Sequence, residues 1–300
     1  ALRKNNSLEY VRIPASVETI GGGVFDYSPL LKTAGPIGGE YNIEFGWTDK
    51  IPNYAFDGTV VNANVLESII IPETITEIGA RAFQNTTKLG EVNFPDAISK
   101  IGRSAFYCSG LSGRVELPSS LTEMENEAFS GCSRMTSVVI PSGITEINKD
   151  VFSGDTELTE VNFEDSNNLT RICESAFSGD SKLAAINLPE SLLAIESRAF
   201  SGDSSLDGLY IPAGVNLIYE DAFSEVPNLH YHGKAEYGPW GQASDYTENS
   251  TVTANVAPTC TTDGYTDVTY DCGYAEHTVL PAQHNYVDYV CSVCGKSIEN

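Results

Sequence analysis

The sequence predicts an α/β repeat solenoid: a right-handed array with one short parallel strand per coil of about 23 residues, plus a small cysteine-containing β-rich segment at the C-terminal end. Three observations predict it. An Ala-Phe pair or near equivalent recurs with its ring at Phe25, Phe56, Phe83, Phe106, Phe129, Phe152, Phe177, Phe200 and Phe223. A proline that ends a short apolar alternation stands eleven residues before most of them, at Pro14, Pro72, Pro95, Pro118, Pro141, Pro189 and Pro212. Two further apolar columns run five and eight residues ahead of each ring, and only Thr48 interrupts the second. Self-similarity at such a period is the mark of stacked supersecondary units.

The clearest unit runs from Leu66 to Phe83. Ile69 and Ile71 alternate with Ser68 and Ile70, as in a strand with one buried face. Pro72 then stops the strand, because it cannot donate the next ladder hydrogen bond. The Ile75, Ile78, Ala82, Phe83 spacing returns apolar groups to the same side through a turn or short helical segment. A single coil cannot cover its own apolar face, so stability depends on neighbours on both sides. Parallel strands are expected at 66–71, 89–94, 135–140, 183–188 and 206–211, since successive units run in one direction.

Taken in order, the chain is expected to begin inside a repeat, because Ala1-Leu2 stands 23 residues before Phe25. Residues 26–56 form an atypical long unit, in which Tyr41, Ile43 and Phe45 alternate as a strand and the Gly35-Pro36 and Gly38-Gly39 steps imply tight turns bulging from one face. Glu164 replaces the proline of the sixth regular unit, with two residues inserted, so an irregularity is expected near Asp165 to Asn168. The lattice stops past Trp240. This divides the chain into a solenoid at 1–240, a polar linker at 241–253 and a small cysteine-containing segment at 254–300.

The strand, proline, Ile and Ala-Phe columns together resemble the BspA-like family of leucine-rich repeats, over about residues 1–234. The resemblance implies a bacterial surface or exported protein that adheres to host or neighbouring-cell macromolecules.

Composition narrows the alternatives. The 41 Asp and Glu against 17 Lys and Arg give a net charge of −24, which repels nucleic-acid phosphates and anionic lipid headgroups. No apolar run reaches the roughly 18 to 20 residues a membrane helix needs, and the first residues lack a signal peptide's apolar stretch. If the protein is exported, as the resemblance implies, its signal lies outside this sequence, and the protein is read as secreted or cell-surface. No metalloprotease, phosphate-loop, nucleophile-elbow or dinucleotide motif is present, and no histidine precedes residue 230. The chain is accordingly read as non-enzymatic and in need of no cofactor.

Cys132 occupies the family's x-x-Cys position after its Phe, Cys108 lies near it, and Asp155, Asp180 and Asp203 take the same place in later coils. Residues that fill and hydrogen-bond a buried turn explain this column, Asp because its oxygens accept from nearby backbone N–H groups. Beyond the array, Cys291-Ser-Val-Cys294 is half of a zinc ribbon, with Cys272 and His284 the candidates to complete it. A disulfide from Cys260 to Cys272 and unpaired thiols stand as alternatives, and seven cysteines do not all pair within one chain. His230 and His232 share a strand face at a solvent-exposed end and bind no metal without a third ligand.

The outward strand positions form two ladders. One holds Arg12, Ile70, Asn93, Glu116, Val139, Asn162, Asn187 and Tyr210, and its neighbour includes Glu91 and Arg114. Their mixed chemistry predicts a polar, wet contact with a protein or glycan ligand. The rival function is a structural spacer that holds another domain away from the cell.

Overall fold

Parallel strands from successive coils stack side by side, as the repeat requires. The computed structural model describes residues 2–60, 62–164, 168–207, 209–219, 221–227, 229–231, 250–256, 262–270, 275–282, 286–287 and 290–291. Contacts divide the chain into two units, Ala1–Ala243 and Ser244–Asn300. In the first, the outer strands run in register: Ser112–Glu116, Arg134–Ile140, Glu160–Phe163 and Ala185–Ile186 form one four-stranded sheet. The pair Tyr210–Ile211 and His230–Tyr231 continues the same face.

A continuous aromatic spine forms the core. Phe25, Phe56, Phe83, Phe106, Phe129, Phe152, Phe177, Phe200 and Phe223 stack ring on ring, with centroids 5.0–6.1 Å apart and interplanar angles of 2–27°. The rings from Phe56 to Phe200 are completely buried. Offset stacking of this kind contributes beyond area alone, by about 0.5–1.5 kcal/mol per pair.

The structure corrects the α/β label, for no helix occurs among the described residues. From Phe56 to Phe200 the residue two before the ring takes a left-handed backbone: Tyr54, Arg81, Ser104, Glu127, Asp150, Ser175 and Arg198 all have φ between 53 and 62°. That conformation interrupts a right-handed helix. Arg81, Phe83 and Asn85 instead donate their N–H groups to Arg103, Ala105 and Tyr107 of the next coil, while Ala82, Gln84 and Thr86 close turns onto Gly79, Arg81 and Phe83. Alternate amides thus serve the array and the coil.

A second correction is that most coils carry two strand segments rather than one. Lys50–Ile51, Glu77–Ile78, Lys100–Ile101 and Glu123–Met124 form a parallel sheet of two-residue strands, and Glu146–Ile147, Arg171–Ile172, Ala194–Ile195 and Leu217–Ile218 form another. Their outward residues are bridged by Lys50–Glu77 at 2.6 Å, Lys100–Glu123 at 3.0 Å and Glu146–Arg171 at 3.6 Å. These pairs are solvated and individually worth little.

The long unit makes a detour. Thr33–Pro36 pairs with Ser68–Ile69, and the chain then returns so that Ile43–Phe45 lies between Thr33–Pro36 and Val11–Ile13, all parallel. Asn42 clips this return: its amide nitrogen donates to the Glu9 carbonyl, its Oδ1 accepts from Thr33 Oγ1 and the Lys32 amide, and its carbonyl accepts from the Val11 amide. The expected strand around Ile43 forms, and the turns at Gly35 to Gly39 serve a second strand that the sequence did not indicate. Tyr41 lies against Gly35 and Gly39, where an added Cβ would meet its ring at 2.2 Å.

A third correction concerns 89–94, which forms no strand. Between its leucine and its proline the next coil has six residues, Ser112 to Leu117, where this one has five, Gly90 to Phe94, and its turn from Phe106 to Leu111 is one residue shorter than that from Phe83 to Leu89. Gly110 sits tight against the earlier coil, its N–H donating to the Thr86 carbonyl and an added Cβ meeting the Thr87 carbonyl at 2.3 Å. Gly113 has a φ of 72°, and the strand that pairs with it bulges at Thr136, with Met135 opposite Gly113 and Ser137 opposite Arg114. The coils therefore touch at Gly110 and separate beyond it.

In the second unit Ser250–Val256, Gly264–Tyr270 and Ala275–Leu280 form an antiparallel sheet, and Tyr286–Val287 pairs with Val290–Cys291. Cys260, Cys272, His284 and Cys294 lie outside the described residues, as do His232 and Asp165–Asn167, and of Cys291 only the backbone is described.

Candidate functional site

The outer strand face gathers the ladder residues, because an outward position lies between two buried ones. In the central sheet Glu116, Val139 and Asn162 stand side by side in register. Val138 and Ile140 point inward on either side of Val139. Arg12, Ile70, Asn93, Arg114, Glu116 and Asn187 are exposed, while Val139, Asn162 and Tyr210 are half-buried. Arg12 and Ile70 lie in the N-terminal sheet, where Arg12 is partnered by Glu44 of the inserted strand. Glu44 was missed because nothing in the sequence placed 43–45 beside 11–13. Its carboxylate accepts a 3.1 Å hydrogen bond from Tyr10, and partial burial together with that carboxylate raises the Tyr10 pKa. Tyr210 is partnered by His230, which extends the ladder by one coil.

Two notches divide this face. The first, about 270 Å³, opens where 91–94 and 112–116 fail to pair. Its floor is Phe94, Leu111 and Val115, all buried, and its rims carry Glu91 and Asn93 on one side and Arg114 and Glu116 on the other. Phe94 lies edge-on to Phe106 and Phe129, with centroids at 5.5 and 6.5 Å, so the core remains closed beneath. Arg114 Nε meets Glu116 Oε1 at 3.0 Å, whereas Glu91 has no ion pair among the described residues. The second notch, about 280 Å³, is lined by Asn187 and Tyr210 among others, at the next break in the sheet. Five of the nine ladder residues thus border a notch.

Polar chemistry also runs through the interior. From Phe106 to Phe200 the position three after the ring holds Ser109, Cys132, Asp155, Asp180 and Asp203, all buried. The Cys132 amide donates to Asp155 Oδ1 at 2.7 Å, the Asp155 amide to Asp180 Oδ1 at 2.8 Å and the Asp180 amide to Asp203 Oδ1 at 2.8 Å. The turn-filling role expected of this column holds, with each acceptor serving the preceding coil. Oδ2 of each Asp has no protein partner. Burial pushes Asp155 and Asp180 well above the ordinary carboxylate range and Asp203 up to about 8. Burial likewise raises the Cys132 thiol well above its usual value and Cys173 up to about 12, so neither is an activated nucleophile. Among the described residues, no three His, Cys, Asp or Glu side chains are grouped to hold a metal. No helix among them is long and apolar enough to cross a membrane.

Comparison with known proteins agrees with this architecture. The model of the BspA type leucine rich repeat region matches in six copies, over residues 49–168 and 156–232. No curated protein sequence matches. A leucine-rich repeat protein from Bacteroides ovatus superposes with a TM-score of 0.56 at 22% identity, covering 69% of this chain and 49% of that one. One from Eubacterium ventriosum gives 0.55 at 20% identity, covering 73% and 59%. Those identities show a shared fold, and this chain spans less than two thirds of either relative. The family match extends over more than half of the chain, along the same Phe and Ile columns that build the core, and the protein belongs to the BspA type leucine-rich repeat family.

Proposed function

We propose that the outer strand face is the ligand-binding surface of a non-catalytic adhesion module, secreted or displayed at the cell surface, that recognises protein or glycan on host or neighbouring cells. The observation that carries this reading is the arrangement of Arg12, Ile70, Asn93, Arg114, Glu116, Val139, Asn162, Asn187 and Tyr210 along one face, with two notches cut into it. Donors, acceptors and apolar groups alternate there without a contiguous apolar patch, as in wet, non-obligate interfaces. Family membership supports the coarser part, a protein-binding repeat surface. Binding of the intact chain to immobilised extracellular-matrix glycoproteins, with and without charge reversals on this face, tests it. The second reading, a spacer, is favoured by the unbroken Phe spine and the hydrogen bonds joining each coil to the next, which stiffen the array. A spacer binds nothing in that assay and is indifferent to reversals.

A further inference from the structure

We propose that the notch between residues 91–94 and 112–116 is a strand-addition site, which takes an extended peptide segment alternating basic and apolar side chains. The inference rests on the reading of the outer face as the binding surface and names its ligand chemistry.

The backbone supplies the first argument. Among the described residues, Glu91, Val92, Asn93 and Phe94 make no backbone hydrogen bond to either neighbouring coil, although the equivalent stretches at 137–140 and 160–163 each pair on both sides. Strand Ser112–Glu116 pairs only with Arg134–Ile140, so its other edge also faces the notch. Unpaired strand edges are templates for another chain, and an entering strand gains main-chain hydrogen bonds from them.

The side chains define what enters. A strand lying in the notch presents alternate residues to the floor and to solvent. The floor of Phe94, Leu111 and Val115 suits aliphatic groups. The rims carry Glu91 and Glu116 against Arg114, and Arg114 is already engaged with Glu116. This leaves the Glu91 carboxylate unneutralised on a chain of net charge −24, which attracts lysine or arginine on the solvent-facing positions and repels acidic peptides. The coils are joined at Gly110, whose N–H donates to the Thr86 carbonyl, and among the described residues no backbone hydrogen bond closes the slot between there and Pro95.

Hydrogen exchange on the intact chain tests this. The probes are the blocked peptide Lys-Val-Lys-Val-Lys, its Glu-Val-Glu-Val-Glu counterpart, and the lysine peptide with alternate backbone nitrogens methylated. The lysine peptide at millimolar concentration is expected to slow exchange at 91–94 by about tenfold or more, and neither control does so. Glu91→Lys, on an exposed side chain, should keep the thermal midpoint and exchange the preference to the acidic peptide. Absence of protection, equal protection by the methylated peptide, or a preference unmoved by Glu91→Lys overturns the proposal. Protection confined to 134–140 and 160–163 also overturns strand addition while leaving the outer face as a binding surface. Failure of the matrix-glycoprotein assay as well removes both.

Discussion

Replacing Asp203 with Asn should flatten the pH dependence of folding. Asp203 is fully buried, its Oδ1 accepts the Asp180 amide at 2.8 Å, and its Oδ2 has no protein partner. Burial pushes its pKa from 3.8 up to about 8. A raised carboxyl binds a proton in the folded state that the unfolded chain has already lost. Its stabilisation is therefore complete below about pH 4, declines as pH rises, and is gone above about pH 8. One pKa unit is about 1.4 kcal/mol, so the decline between pH 4 and pH 7 is about 4 kcal/mol, an upper bound that relaxation would reduce. Asn keeps the acceptor and carries no titrating proton, but its amide nitrogen lacks an acceptor, at a cost of about 1–3 kcal/mol. The variant should thus match or fall below the parent at pH 4 and exceed it by about 1–3 kcal/mol at pH 7. Urea unfolding at pH 4.5, 6, 7.5 and 9, monitored by circular dichroism, measures the difference. A stability difference that stays constant across that range would refute the reasoning.

Other perturbations probe separate parts of the array. Phe129→Ala, at a ring buried between Phe106 and Phe152, should cost about 3–5 kcal/mol, and a loss under about 1 kcal/mol in urea melts excludes the spine as the core. Asn42→Ala removes the clip on the inserted strand and should cost about 1–3 kcal/mol, with faster hydrogen exchange at Val11 and Ile43 as its local sign. Cys132 should resist a disulfide reagent at pH 8 until the protein unfolds, because its thiol is completely buried and its ionisation suppressed; rapid labelling of the native chain contradicts that burial.

The coil was legible because its signals repeat. The proline and Ala-Phe lattice fixed which residues face inward, and the Asp155, Asp180 and Asp203 column was recognisable as a buried turn from its position alone. The left-handed residues from Tyr54 to Arg198 were hidden because none of those seven is glycine, so the turn looked compatible with helix. Two-residue strands such as Glu77–Ile78 carry no periodicity of their own and exist only through pairing with Lys50–Ile51 and Lys100–Ile101. The ladder could be written down, but its breaks could not, since 89–94 reads like its neighbours and the following coil has the same length, with only Leu111 standing one residue closer to its ring than Leu89 does. The detour placing Ile43–Phe45 beside Val11–Ile13 is likewise set by contacts distant in sequence.

The most direct measurement is biolayer interferometry of the intact chain against immobilised extracellular-matrix glycoproteins, comparing two double variants. Arg114→Glu with Asn162→Lys alters the outer face, and Glu77→Lys with Glu123→Lys alters the second strand column. The account predicts that the outer-face pair weakens binding by about tenfold, equivalent to about 1.4 kcal/mol, while the second pair leaves it unchanged. Equal affinities for the parent and the outer-face variant, or a loss confined to the second column, would contradict the assignment of the binding surface.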